Sequence, residues 1–129
     1  AYKAVVASDG SLRDKVRLPL ARKEGPFTIV ASRSHLSPET QAFVGEMRRL
    51  HGEVELRSAG SSLKLCLVAE GSADVYPRLA PTMERDTAAG DAVVRAAGGQ
   101  VTDAGTQQPL RYNKEDLHNP FFVAESCGK

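Results

Sequence analysis

The sequence predicts an α/β domain, a mixed sheet with flanking helices, and two observations carry that prediction. Short apolar, β-branched runs alternate along the chain with segments whose apolar residues recur at helical spacing. One such segment, Asp86 to Ala97, follows an acidic loop and places Ala89, Val93, Ala96 and Ala97 at i, i+4, i+7 and i+8, the period of a buried helical face.

Taken in order, Tyr2 to Ser8 is valine-rich and weakly alternating, which predicts a strand, and Ser8-Asp9-Gly10-Ser11 is a turn signal. Leu12 to Gly25, dense in Arg and Lys with Pro19 inside, reads as an exposed connector or edge strand. Phe27 to Ser32 is continuously apolar or β-branched, as in a strand covered on both faces. Ser37-Pro38-Glu39 opens a helix with a capping hydroxyl, a first-turn proline and an acid; Phe43, Met47 and Leu50 form its stripe and Gly52 ends it. Val54 to Ser58 is a short strand. The helix after Gly60-Ser61-Ser62 is marked by Leu63, Cys66, Leu67 and Glu70 and closes at Gly71. Ala73 to Arg78 is a strand and Leu79 to Arg85 a loop. After the helix ending at Ala97, Gln100 to Asp103, Leu110 to Tyr112 and Phe121 to Ala124 are short strands.

A chain of 129 residues has the length of one domain, and one domain spanning 1–129 is the economical reading. Apolar residues make up 41%, charged residues 26%, and the formal net charge is +1, which argues against disorder and against a nucleic-acid-sized basic surface. No apolar run reaches membrane-spanning length and no signal-peptide pattern opens the chain, so a cytoplasmic location is the default expectation. Cys66 falls on the apolar stripe of its helix and Cys127 in a polar tail, without metal spacing, so no disulfide is expected.

Several residues carry chemistry under a second reading. Asp86 is an ordinary helix cap or, with its outward oxygen, a ligand for a divalent cation. Gly60-Ser61-Ser62 is a plain strand-to-helix turn or an anion site built from backbone N–H groups, with Lys64 in the first turn. His35 and Arg78 sit at strand ends, where solvated side chains and ligand contacts both occur. Together His35, Lys64 and Arg78 suit a substrate with two phosphates better than a neutral polyol. Asp91 has an exposed register and reads as surface.

Glu84 followed by Asp86-Thr87-Ala88-Ala89-Gly90 resembles the second signature of the inositol monophosphatase superfamily. Ser32-Arg33-Ser34-His35, Gly60-Ser61-Ser62-Leu63-Lys64 and Asp74-Val75-Tyr76-Pro77-Arg78 are similar to its bacterial 3'(2'),5'-bisphosphate nucleotidase branch. The resemblance runs from about Tyr2 to Ala124 and matches the C-terminal half of the family's chain. It implies the C-terminal α/β domain of the inositol monophosphatase-like (sugar phosphatase) fold. It also implies substrate contacts from His35, Gly60, Ser61, Ser62, Lys64, Arg78 and Glu84, a metal ligand in Asp86, and Mg2+ as cofactor.

Two departures shape the functional expectation. Arg85 stands where the family has tryptophan, and neither Gly-Asp-x-Glu nor Asp-Pro-x-Asp-Gly-Thr, which supply the family's other metal carboxylates and its water-activating group, occurs in the chain. No catalytic set is therefore complete here. The expectation is one part of a magnesium-dependent nucleotidase that converts adenosine 3',5'-bisphosphate to AMP and phosphate, inactive without an N-terminal half and binding metal weakly by itself. Two alternatives stand: an inositol monophosphatase or fructose-1,6-bisphosphatase domain, or a non-catalytic domain that binds a partner or pairs as a homodimer.

Overall fold

The computed structural model describes residues 1–21, 24–32 and 36–128. Strands β1 (Tyr2–Val6) and β2 (Leu12–Arg17) form an antiparallel hairpin whose residues are almost all exposed, the edge ribbon that its basic composition predicts. The remaining elements follow as β3 (Phe27–Ala31), α1 (Pro38–His51), β4 (Val54–Ser58), α2 (Leu63–Glu70), β5 (Val75–Arg78), α3 (Glu84–Ala96), β6 (Gln100–Asp103) and β7 (Phe122–Glu125). Their five strands make one mixed sheet in the order β4-β3-β5-β7-β6, with β3 parallel to β4 and β5, and β7 antiparallel to β5 and β6.

The connections explain the layers. From β3 the chain crosses outward through α1 to β4, then returns past β3 through α2 to β5. Right-handed crossovers running in opposite directions put their helices on opposite faces of the sheet. Strand alternation agrees with this. Ile29, Val75 and Val123 meet Val44 of α1, whereas Val30, Tyr76, Phe122 and Ala124 meet Leu65, Val68 and Ala69 of α2 and Val94 of α3. Helix α1 starts and stops as its sequence predicts, with the Ser37 hydroxyl accepting the Thr40 N–H at 3.2 Å and Gly52 at the C-cap.

The faces of α2 and α3 differ from the expected ones. On α2 the buried residues are Lys64, Leu65, Val68 and Ala69, while Leu63 and Cys66 are exposed. On α3 they are Thr87, Gly90, Asp91 and Val94, while of the expected stripe Ala89, Val93 and Ala96 are exposed and Ala97, at the C-cap, is buried in the core. In each helix the apolar count selects the wrong stripe because the buried one carries a charged or hydroxyl residue. Asp91, expected at the surface, is only 1% exposed. Arg95 donates to its two oxygens at 2.5 and 3.1 Å and the Tyr112 hydroxyl donates at 2.7 Å, which makes burial of its charge tolerable. Helix α3 also begins two residues before Asp86, and Leu110 to Tyr112 is a loop rather than a strand, joined to β6 by a Thr102–Pro109 bridge and the Leu110 N–H to Val101 O bond.

Helices α2 and α3 meet where Leu65 lies on bare backbone at Gly90. A Cβ added to Gly90 would stand 2.4 Å from Leu65 Cδ1 and 3.0 Å from its Cβ. Gly90→Ala should therefore lower stability by about 1–2 kcal/mol in urea unfolding, overpacking outweighing alanine's better helix propensity. Leu65→Val in the same chain should restore part of that loss.

Candidate active site

The carboxyl ends of parallel strands β3, β4 and β5 release loops at Ser32, Ala59 and Leu79, all on one side of the sheet. These loops and the first turns of α2 and α3 enclose a cleft of about 580 Å³. In an open α/β sheet this is where ligands gather, because helix N-termini point there and connections diverge. Of the residues singled out by the sequence, Ser61, Ser62, Lys64, Arg78 and Asp86 line it together.

Lys64 supplies a buried cation. The residue is 4% exposed; its Nζ donates to Ala59 O at 3.1 Å and lies 5.3 Å from the centre of the Tyr76 ring. Burial, and then the charge of Arg78, pushes the Lys64 ammonium below its ordinary pKa. Arg78 lines the same cleft and donates from Nη2 to Pro81 O at 3.4 Å, but its buried Nε has no acceptor among the described residues. Among the described residues no carboxylate pairs with either cation. A buried guanidinium N–H without a partner is costly unless a ligand takes it up. Beneath both cations Tyr76 packs edge-on against Phe122, and burial raises its phenol pKa.

Ser61 holds a left-handed backbone at φ +46°, turning the chain from β4 into α2. Ser62 takes the N-cap position, yet its hydroxyl makes no capping bond. Both hydroxyls line the cleft, so the plain-cap reading of this turn does not describe Ser62.

Asp86 is the third residue of α3 and half exposed to the cleft. Its Oδ2 accepts the Met83 N–H at 2.8 Å, satisfying one of the free donors at the helix start. Its Oδ1 stands 3.9 Å from Nε of Arg85, an exposed cation also at the cleft. A solvent-reaching carboxylate oxygen has the right chemistry for a hard divalent cation. Among the described residues, however, no group of three or more His, Cys, Asp and Glu side chains is placed to hold one. Asp86 thus fits magnesium as a single ligand, not as a whole site.

Gly60 and Glu84 lie off the cleft lining. Glu84 turns to the loop after Arg111, accepting the N–H groups of Asn113 at 2.8 Å and Lys114 at 3.2 Å and pairing with the Lys114 ammonium. That ammonium, with the two N–H groups, holds the Glu84 carboxyl below the usual carboxylate range. His35 lies outside the described residues. Sequence reasoning missed Tyr76, Thr82 and Thr87 as lining residues. Tyr76 had a usable signal, an aromatic two residues before a strand-end arginine and so on the same side of the strand.

Residues 6–126 match the sequence profile of the inositol monophosphatase family. The chain belongs to that family. The crystal structure of CysQ from Bacteroides thetaiotaomicron, described as a bacterial member of the inositol monophosphatase family, is 59% identical with a TM-score of 0.83, over 89% of this chain and 42% of that one. The 3'(2'),5'-bisphosphate nucleotidase CysQ of Shigella flexneri is 45% identical over 107 residues, 82% of this chain and 42% of that protein. Staphylococcal IMPase-II, at 19% identity and a TM-score of 0.67 over 98% of this chain and 49% of its own, shares the fold. The chain thus spans about two fifths of the length of the nucleotidases it matches. The α/β fold with a mixed sheet and flanking helices is the one expected of an inositol monophosphatase family chain, and no helix among the described residues is long and apolar enough to cross a membrane.

Lys64 gives a direct test of the cleft's energetics. Its lowered pKa means that the folded chain binds fewer protons than the unfolded one in the window between that pKa and the ordinary 10.5, so the group destabilises the fold fully below the window and not at all above it. Lys64→Met should stabilise the fold by about 1 kcal/mol at pH 7, with the difference from the parent shrinking towards zero as pH rises past the lysine range. Chemical denaturation of both chains across pH measures this.

Proposed function

We propose that this chain is the nucleotide- and phosphate-contacting part of a magnesium-dependent 3'(2'),5'-bisphosphate nucleotidase, acting on adenosine 3',5'-bisphosphate to give AMP and phosphate. The observation that carries the reading is the presence of two cations, Lys64 and Arg78 with its unpaired Nε, against which no carboxylate is placed among the described residues, in the cleft that also presents Asp86. A cleft that holds a buried ammonium and a partly buried guanidinium suits an anion, and a bisphosphate offers one phosphate to each. The likeness to nucleotidases of this name at 45% to 59% identity supports the same substrate class.

The reaction is attack of water on phosphorus, cleavage of the bond from phosphorus to the ribose 3'-oxygen, and departure of that oxygen as a hydroxyl. Bound magnesium would neutralise phosphoryl oxygens and lower the pKa of a water. In this chain, Lys64 and the Arg78 guanidinium attract and orient phosphate, and the hydroxyls of Ser61 and Ser62 offer further donors at the start of α2. Asp86 contributes one carboxylate to the metal. The remaining carboxylates and the water-activating group come from a polypeptide corresponding to the part of the nucleotidases that the alignment leaves uncovered.

Phosphate release from adenosine 3',5'-bisphosphate with magnesium tests the proposal. The chain alone should release none. Mixed with the uncovered N-terminal part of the Shigella flexneri nucleotidase it should become active, and Asp86→Asn should lower that activity about a hundredfold or more. Calorimetric titration with the same nucleotide should show binding weakened about tenfold by Arg78→Ala and by Lys64→Met, the second despite its gain in stability. Release by the chain alone that Asp86→Asn abolishes would overturn the need for a complement. Binding without activity on mixing would favour a binding-only domain.

A further inference from the structure

The segment 117–119 runs antiparallel to 82–84 and pins the start of α3. His118 bridges Met83, the Glu84 N–H donates to Leu117 O, and the Asn119 N–H donates to Thr82 O, each of these two bonds at 2.9 Å. The Asn119 side chain closes the same seam. Its Nδ2 lies 3.1 Å from Thr82 Oγ1, 2.9 Å from Met83 O and 3.0 Å from Thr87 Oγ1. A carbonyl oxygen can only accept, so the amide nitrogen, not the oxygen, has to face Met83.

Met83 is then held through both of its polar groups. Asn119 takes its carbonyl at 2.9 Å, and its own N–H donates to Asp86 Oδ2 at 2.8 Å. The other end of the amide is buried with no partner among the described residues: Asn119 Oδ1, on a residue that is 8% exposed. An apolar side chain of the same shape would remove the donor from Thr82, Met83 and Thr87 together, so the amide is what ties the Asn119 side chain to the start of α3. Without it the Met83 carbonyl keeps the Asp86 N–H at 2.9 Å but loses its side-chain tie to Asn119, so the Oδ2 contact loosens against Arg85, already 3.9 Å from Oδ1.

We propose that Asn119 is a positioning residue for the Asp86 carboxylate, acting through Met83. This rests on the reading of Asp86 as the cleft's metal-facing carboxylate, and the two are tested separately. The first readout is amide hydrogen exchange at Met83. Asn119→Leu, which keeps the volume and removes the donor, should lower protection of the Met83 N–H about tenfold, as should Asn119→Ala. Tyr112→Phe removes a hydroxyl from Thr87 and Asp91 without touching Met83 or Asp86; it should lower the melting temperature and leave Met83 protection unchanged. Met83 protection in Asn119→Leu within twofold of the parent, or an equal loss in Tyr112→Phe, overturns the proposal.

The second readout is paramagnetic broadening by added Mn2+. In the parent chain it should centre on the amides around Asp86 and weaken several-fold in Asn119→Leu. Broadening that Asp86→Asn leaves unchanged sinks the metal-ligand reading, while the exchange result still decides whether Asn119 positions the carboxylate.

Discussion

Leu65 resting on the backbone of Gly90 fixes how closely α2 approaches α3, and the distances across the cleft follow from that contact. Both helices enter the site by their first turns, α2 with Ser62 and Lys64 and α3 with Asp86 and Thr87. Interiors this dense transmit displacement instead of absorbing it, so a shift at the crossing moves the donors for an anion relative to the carboxylate beside them. The sheet supplies the third wall: Arg78 leaves β5 between the two helices, and Tyr76 anchors on Phe122 of β7 beneath it.

The polar interior divides into two populations. Off the cleft lining, the buried Asp91 is paired with Arg95 and Tyr112, and the partly buried Glu84 with Lys114 and two backbone N–H groups. Burial, and next the bond to Asp91, pushes the Tyr112 hydroxyl well up in pKa, so this pairing stays closed through ordinary pH. At the cleft, and at the residue that braces it, satisfaction is incomplete. Among the described residues Lys64 has a carbonyl but no counter-charge, and neither Arg78 Nε nor Asn119 Oδ1 has a partner. Incomplete satisfaction confined to one place is the physical mark of a site, where stability is given up for interactions that arrive with a ligand.

Much of the architecture was legible in the sequence, because strands covered on both faces read as continuous apolar runs and helix ends carry their own punctuation. Val54–Ser58 and Gln100–Asp103 lie where they were expected, as does α1 between Ser37 and Gly52. The helix faces were not legible. A count of apolar residues cannot know that Lys64 will fold back over Tyr76, or that Asp91 will find Arg95 on its own helix and Tyr112 from a loop 21 residues on. Of the site, Ser61, Ser62, Lys64, Arg78 and Asp86 converge, because strand ends and helix starts in this topology face one way. Glu84 was drawn off by Lys114, 30 residues away, a partner that no local pattern reveals. Asn119 gave no signal, since its work depends on a seam between two segments far apart in the chain.

The hairpin of β1 and β2 hangs from the rest of the chain by a few bonds at its base. Lys3 reaches Glu70, and the Leu20 N–H reaches Glu70 O. Its outward residues include Tyr2, Val5, Val6 and Leu12, each more than half exposed. A two-stranded ribbon without a packed face is marginal in water. Leu18, just past β2, is buried in the core with Val30 and Leu65, so the ribbon beyond that anchor opens at lower free energy than β3 or β5 while its base stays tied to the five-stranded sheet.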